Sequence, residues 1–139
     1  MFKKYRTFKN RKHKNVGAAC VEFAIVSPIF FLIVLASIEF ARAHMTQSAT
    51  ENACFEGARR GIVPGATSEA CEATTARLLD IAGLGDFTVE VEPRTIDDTT
   101  ENVTVRAIIP ITAENNFGIS AFFRGRSIVN EISLPRQIR

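Results

Sequence analysis

Apolar side chains dominate the first part of the chain and then become less frequent. From Val16 to Ile38, 23 residues carry a single charge, Glu22. An α-helix needs about 20 such residues to cross a hydrocarbon core roughly 30 Å thick. Beyond Glu39 the apolar residues continue among polar ones, with no Gly or Pro before Gly57. The pattern predicts one helix from about Ala18 to Arg59, roughly 60 Å long, whose second half projects into solvent.

Turn-forming residues mark the end of this helix and the start of a second one. Pro28 lies inside the apolar span, where membrane helices tolerate proline, and it predicts a local bend. Gly61 and Pro64 predict the end of the first helix. Thr67 or Ser68 can then cap a short amphipathic helix. The apolar stripe predicted for this second helix consists of Ala73, Ala76, Leu78 and Leu79.

Apolar and polar residues alternate in the rest of the chain, which predicts three strands. They cover Phe87 to Glu92, Val103 to Ile111 and Ser127 to Leu134, with a hairpin loop at Pro93 to Glu101 and an irregular crossover at Asn115 to Gly125. A sheet this small is not stable alone in water, so the outer half of the long helix is expected to cover it. The predicted class is α+β: a long N-terminal transmembrane helix whose outer half packs on a short helix and an antiparallel sheet of about three strands.

Basic residues are concentrated ahead of the apolar span. Residues 1–17 carry seven Lys and Arg and no acidic residue, whereas the remainder has ten basic and fifteen acidic residues, a net charge of −5. Because Lys and Arg stay on the cytoplasmic side of a membrane span, the rest of the chain is predicted to face outward. We expect a basic cytoplasmic leader over 1–17, a long helix over 18–60 with its transmembrane part at about 18–38, and an outward-facing α+β domain over 61–139.

Residues that usually carry catalysis or bind metals are scarce. The chain has two histidines, at positions 13 and 44, and neither lies in a cluster. Catalysis by histidine and metal ligation therefore have almost no side chains to use. The basic leader could contact nucleic acid, but beside a membrane span its usual partners are anionic lipids. We expect no enzyme activity, metal, cofactor, small-molecule substrate or nucleic-acid partner.

Three motifs follow one another along the predicted long helix. Gly17 to Ala24 ends in Glu-Phe-Ala, Ile38 to Arg42 contains the same three residues, and Thr50 to Arg59 ends in Glu-Gly-Ala-Arg. Together with the basic leader, this combination resembles the TadE-like pseudopilins of tight-adherence (Flp) pilus systems. The resemblance covers about a third of the chain. It implies a pilin-like fold and a role in a pilus or a related secretion apparatus.

The resemblance also implies maturation by a prepilin peptidase of the inner membrane. The cut would fall between Gly17 and Ala18, with Glu22 five residues beyond it and Phe23 next. A carboxylate costs about 2.5 to 3.5 kcal/mol at the centre of a bilayer and less near the interface, so Glu22 needs a partner. Cleavage would create a free amine at Ala18 with a pKa near ~8. In pilin assemblies that partner amine belongs to the neighbouring subunit.

The sequence leaves more than one function open. The first is a minor pseudopilin that assists assembly or adhesion of a Flp-type pilus, with other pilins or pseudopilins and an assembly platform as partners. It would be a single-pass protein of the bacterial inner membrane with a periplasmic or extracellular C-terminal domain. The second is an uncleaved, membrane-anchored binding module of the cell envelope. A secretory signal peptide that is cut after Ala43 is a third interpretation of the apolar start.

Two of the three cysteines lie in the part predicted to face outward, where an oxidising setting lets a disulfide persist. Cys20 lies 34 residues before Cys54, about 50 Å along a continuous helix, so it cannot join the others within one chain. The sequence predicts a bridge between Cys54 and Cys71, which closes a loop of a size that stabilises a fold by about 3 kcal/mol. The alternative is two buried free thiols.

Overall fold

Two helices precede three strands along the chain. The computed structural model describes residues 16–97, 99–112, 115 and 125–136. The helices are α1 (Val16–Gly61) and α2 (Ser68–Ile81). The strands are β1 (Thr88–Glu92), β2 (Asn102–Pro110) and β3 (Ser127–Pro135), and they form one antiparallel sheet. The predicted α+β class, with one long apolar helix, one short helix and three antiparallel strands, is confirmed.

Two predictions fall largely on residues that the structure does not describe. The basic leader over 1–17 lies outside the described residues except for its last two positions. The irregular crossover from Asn115 to Gly125, with its phenylalanines, is described only at its two ends.

The chain divides into two units, 1–36 and 37–139, and the described part of the first unit is helical. α1 continues through Pro28 as one helix. Within the described residues, Gly17–Gly61 is long and apolar enough to cross a membrane, and none of its most apolar stretch is buried inside the protein. The large apolar side chains exposed in this unit are Val21, Phe23, Ile25, Val26, Ile29, Phe30, Phe31, Leu32, Ile33, Val34 and Leu35.

The last turns of α1 contribute to the core of the second unit. The buried side chains of these turns are Thr50, Ala53, Cys54 and Ala58. A Cβ placed on Gly57 would lie 1.9 Å from Thr75 Oγ1 of α2. A Cβ on Gly61 would lie 2.6 Å from Val103 Cγ1 of β2. The absence of a side chain at these two glycines therefore lets α1 approach α2 and the sheet closely, and it is this end of the long helix that covers the sheet.

Thr67 caps α2, which is one of the two residues predicted for that position. Its side-chain oxygen accepts a 3.2 Å hydrogen bond from the backbone N–H of Ala70. The predicted apolar stripe was wrong at Ala73, which is exposed. Residues four apart share a helix face, and the buried face of α2 consists of Cys71, Thr75 and Leu79. The hydroxyl of Thr75 can be buried because it donates a 2.9 Å hydrogen bond to Cys71 O.

The sheet has the order β1-β2-β3 and buries one of its faces. Its register aligns Val91 with Val105 and Val105 with Ile132, so apolar residues of all three strands form rows across the inner face. On the opposite face the Thr104 hydroxyl donates a 3.0 Å hydrogen bond to Ser133 Oγ. This division is typical of an antiparallel sheet with one solvated side. The fully buried residues of β2 are Val103, Val105, Ala107 and Ile109.

One buried side chain, Asn115, links the end of β2 to the segment that precedes β1. Its amide nitrogen donates to the carbonyl oxygens of Asp86 and Pro110, at 2.9 and 2.8 Å. Its amide oxygen accepts from the backbone N–H groups of Gly85 and Asp86, at 3.0 and 3.2 Å. Asn115 is 3% exposed, so these bonds replace the water that its amide would otherwise bind.

Candidate functional site

The four residues predicted for processing lie together at the start of α1. Gly17 and Ala18 are in its first turn, and Glu22 and Phe23 follow about one turn later. All four are exposed. A Cβ placed on Gly17 would meet no described atom within 4 Å. The segment therefore presents a peptide bond and a carboxylate that other described residues do not cover.

Helix geometry relates Glu22 to the new end that a cut would create. Ala18 and Glu22 are four residues apart, which places them on nearly the same face and about 6 Å apart along the helix axis. Side chains of an α-helix lean toward its N-terminus. The Glu22 carboxylate is therefore directed toward the end of the helix where an amine at Ala18 would lie.

A second Glu-Phe-Ala sequence begins at Glu39, and its surroundings differ from those of Glu22. Glu39 belongs to the second unit and is 9% exposed. Its Oε1 lies 3.5 Å from Arg42 Nη1, about one turn further along α1. Glu39 therefore has a cation about one turn away on its own helix, whereas the Glu22 side chain is exposed.

The Glu-Gly-Ala-Arg motif near the end of α1 contains two buried and two exposed residues. Gly57 and Ala58 are buried, and they face the core of the second unit. Glu56 Oε1 lies 3.5 Å from Arg59 Nη1, and both side chains are exposed. An exposed pair at this spacing contributes only about 0.3 to 0.5 kcal/mol. Gly57 and Ala58 therefore pack the end of the helix, and Glu56 and Arg59 form a local pair on its exposed side.

Cys54 and Cys71 are fully buried and both are free thiols. Burial raises the pKa of the Cys54 thiol to about 11. Burial also raises the pKa of Cys71, an effect that the positive charge of Arg60 opposes. The bridge predicted from the sequence is not formed in this structure, and the pairing stays a prediction. Cys20 is exposed on α1.

Asn130 connects the edge strand β3 to α1, a role that the sequence analysis did not assign to it. Its side-chain nitrogen donates a 3.0 Å hydrogen bond to Gln47 O. Its own carbonyl oxygen accepts a weak hydrogen bond from Cys54 Sγ, at 3.7 Å. A polar residue between Ile128 and Ile132, on the inward face of a strand, was the signal in the sequence, because such positions are normally apolar.

The hairpin loop between β1 and β2 is organised by its own side chains. Asp97 Oδ1 accepts hydrogen bonds from the Thr99 hydroxyl at 2.7 Å, from the Thr99 backbone N–H at 3.0 Å and from the Thr100 hydroxyl at 3.1 Å. These bonds, that of the Thr99 hydroxyl above all, lower the pKa of Asp97. The Arg136 side chain also donates to the carbonyl oxygen of Asp97. Within the described residues, no group of His, Cys, Asp and Glu is arranged to hold a metal ion.

Comparison with known proteins bears on the first of these regions. Residues 17–59 match the family model described as TadE-like protein. No curated protein and no solved structure matches the chain. The match begins at Gly17 and ends at Arg59, so it contains all three motifs of α1 and none of α2 or the sheet. The resemblance seen in the sequence is thus confirmed for that part of the chain.

Proposed function

We propose, from the TadE-like match over residues 17–59, that the chain is a minor pseudopilin that assists the assembly or adhesion of a Flp-type pilus or a related secretion apparatus. The match itself implies a role in tight-adherence pilus systems, and the TadE-like family is not an enzyme family. The finer role is supported by one observation above all: an exposed Glu22 lies at the start of an apolar helix, and no described part of the chain buries the most apolar stretch of that helix.

The position of Glu22 supports lateral assembly in the membrane. In this proposal a prepilin peptidase cuts between Gly17 and Ala18, and the new amine of one subunit neutralises Glu22 of its neighbour. A slip of one helical turn would shift the two groups by about 5.4 Å and break this pair between neighbouring subunits. Since an unpaired charge is costly in lipid, the pair would fix the register of neighbouring helices.

Small exposed residues on the same helix are compatible with close contacts between subunits. Membrane helices approach each other most closely where their side chains are small. Small exposed residues of this stretch include Ala18, Ala19, Ala24 and Ala36.

The charge asymmetry of the sequence supports a cytoplasmic N-terminus in the bacterial inner membrane and a second unit in the periplasm or outside the cell.

The rival proposal is an uncleaved, membrane-anchored binding module. It is favoured by the second unit, which has a core of its own built from the end of α1, α2 and the sheet. In this case residues 1–17 would remain attached as a basic anchor on the cytoplasmic side. Glu22 would then have Lys14 or a lipid headgroup as its partner.

The first experiment is the intact mass, with N-terminal sequencing, of the protein purified from its native membranes. A chain that begins at Ala18 is the expected result, because the proposed peptidase removes the basic leader. A chain that keeps residues 1–17 would contradict the proposed cleavage and support the static anchor. A chain that begins at His44 would identify a released secreted protein and contradict both proposals.

A substitution at the proposed cut provides a matched variant. No described atom lies within 4 Å of a Cβ on Gly17, so Gly17→Val adds a side chain without disturbing the packing of the described residues. We expect this variant to insert into the membrane and to keep residues 1–17. If it is cut at the same bond and at the same rate as the natural chain, a peptidase that reads this glycine is ruled out.

A further inference from the structure

We infer that the folded second unit holds Cys54 and Cys71 too far apart for a disulfide, so that pairing of these thiols and packing of α1 on α2 exclude each other. The inference concerns residues 37–139 alone and does not depend on the proposed function. A disulfide between neighbouring elements usually adds stability, whereas a bridge between these two cysteines would prevent the fold from closing.

The Cys54 thiol lies over the middle of the sheet. Its sulfur is 3.7 Å from the carbonyl oxygen of Asn130. Asn130 pairs with Ala107 in the register between β3 and β2. This contact places the Cys54 sulfur close to the pair that Asn130 forms with Ala107 of β2.

The Cys71 thiol lies above a different position of the same strand. A Cβ placed on Gly61 would be 3.0 Å from Cys71 Sγ and 2.6 Å from Val103 Cγ1. The sulfur of Cys71 is therefore beside Gly61 and close to Val103, near the start of β2, where the hairpin loop from β1 ends.

Two spacings, one along β2 and one along α1, indicate how far apart the residues beside the two sulfurs lie. Val103 and Ala107 are four residues apart on β2, which corresponds to about 13 Å. Cys54 and Gly61 are seven residues apart on α1, which corresponds to about 10 Å along the helix axis. A disulfide requires sulfurs about 2 Å apart and Cα atoms within about 7 Å. To form it, α1 would have to slide along α2.

The crossing of the two helices prevents that movement. Along α1, Gly57 lies between Cys54 and Gly61, the residue beside the Cys71 sulfur. A Cβ on Gly57 would be 1.9 Å from Thr75 Oγ1 and 3.2 Å from Cys71 O. Sliding α1 so that Cys54 approaches Cys71 would carry the Cys54 side chain into this crossing. The space there is too small even for a methyl group, so the helices must separate before the thiols can meet.

Burial also slows the reaction in the folded chain. With a small disulfide as oxidant, one thiolate attacks it and releases one thiol, and the second thiolate attacks the resulting mixed disulfide and releases the other. Two protein thiols are thereby oxidised to one disulfide, and the small disulfide is reduced to two thiols. A pKa of about 11 in place of 9.0 lowers the thiolate fraction of Cys54 at neutral pH by roughly 100-fold. An unfolded chain lacks both the burial and the separation.

The test exposes the full chain, in detergent and with Cys20→Ser to remove the third thiol, to oxidised glutathione before and after denaturation. Arg42, Arg59 and Arg77 place the two cysteines on separate tryptic peptides, so a linked pair is identified by its mass. We expect the native chain to keep both thiols free and the denatured chain to form the linked pair at least about 100-fold faster. Equal rates of pairing in the two states would overturn the inference.

The bridged chain provides a second and independent readout. After removal of denaturant, we expect its amides in the last turns of α1 and in α2 to exchange hydrogen much faster than those of the reduced chain. Reduction with dithiothreitol should restore slow exchange, which separates this effect from irreversible damage. A bridged chain that regains the protection of the reduced chain would show that the bridge is compatible with the fold.

A control variant shows that the assay detects a bridge in the folded chain. Gly61→Cys places a Cβ about 3 Å from Cys71 Sγ, close to the spacing of a Cβ and the far sulfur of a disulfide. It is combined with Val103→Ala to make room, and with Cys54→Ser so that one pairing remains. We expect this chain to form a bridge under native conditions. If the cysteine at position 61 pairs with Cys71 in the folded chain while Cys54 does not, the distance between Cys54 and Cys71 is what prevents their pairing.

Discussion

At the scale of single residues, Gly57 is a position where the described structure has no space for a side chain. Gly in a helix interior normally costs about 1 kcal/mol relative to Ala, so its presence in α1 needs a reason. The reason is the contact with α2, where a Cβ would be 1.9 Å from Thr75 Oγ1. The helix tolerates a weak helix former because that residue permits the closest approach of the two helices.

The first prediction concerns this contact. Gly57→Ala should lower the free energy of unfolding by about 1 to 3 kcal/mol, because the added methyl group overpacks the crossing. Thr75→Ala removes the atom that the methyl group meets most closely and leaves contacts of 3.2 and 3.3 Å. The double variant should therefore be more stable than Gly57→Ala alone. Thermal unfolding of the four chains of the cycle measures this, and strictly additive effects would contradict the proposed clash.

Single polar residues were the hardest to predict from the sequence. Asn115 and Asn130 are bonded to backbone groups that lie far from them in the chain. Those partners become known only when the elements have been placed in space. The pattern of apolar residues predicts where a strand runs, but it contains no information about which carbonyl oxygen an amide will meet.

At the scale of elements, β2 is the centre of the sheet and shows the clearest alternation. Ile109 is fully buried, whereas its neighbour Ile108 is half-buried on the other face. The alternation of apolar and polar residues was also sufficient to place β1 and β3. Successive side chains of a strand point to opposite faces, so an apolar residue on the buried face predicts that its two neighbours lie on the other face. The buried face of α2 was less well predicted. Cys71 and Thr75 are small and partly polar, so their hydropathy does not indicate that they face the core.

The second prediction uses this pair of isoleucines. Ile109→Ala should lower the free energy of unfolding by about 2 to 5 kcal/mol, because it leaves a cavity in the core. Ile108→Ala removes the same atoms from the half-buried face and should cost clearly less. Chemical denaturation of the two variants gives the comparison. Equal losses would mean that the two faces of β2 are not distinguished as the structure describes.

The third prediction concerns the hairpin loop and its dependence on pH. The pKa of Asp97 is lowered in the folded chain, so its carboxylate stabilises the loop above the ordinary pKa near ~3.9, and this contribution is lost as pH falls through the lowered value. NMR titration should show the Thr99 amide losing its bonded position in acid. Asp97→Asn keeps an oxygen acceptor without a titrating group, and its loop should show no such change. A Thr99 amide that moves equally in both chains would contradict the proposal.

At the scale of the whole molecule, the described residues separate an apolar helical unit from a folded α+β unit. Length and the near absence of charge were enough to predict the first as an apolar helix long enough to cross a membrane. The elements of the second were predictable one by one. The covering of the sheet by the end of α1 was also predicted. The close approach at Gly57 and Gly61 was not, because it depends on pairs of residues on different elements.

The fourth prediction tests assembly, and it applies if the proposed charge pair is correct. Glu22→Gln should leave membrane insertion intact and strongly reduce incorporation into the pilus apparatus, because the neutral side chain cannot neutralise an amine. Glu51→Gln alters an exposed carboxylate on the same helix and serves as its control. Quantification of both chains in membranes and in sheared surface material checks the prediction. Normal incorporation of the Glu22→Gln chain would exclude the proposed role.

The close crossing of α1 and α2 also has a consequence for evolution. A helix pair that meets at Gly57 and Thr75 can change only if both positions change together or in a suitable order. A larger residue at 57 becomes acceptable after the residue at 75 has become smaller. In related chains that keep this packing, the two positions should therefore covary, although 17 residues of sequence separate them.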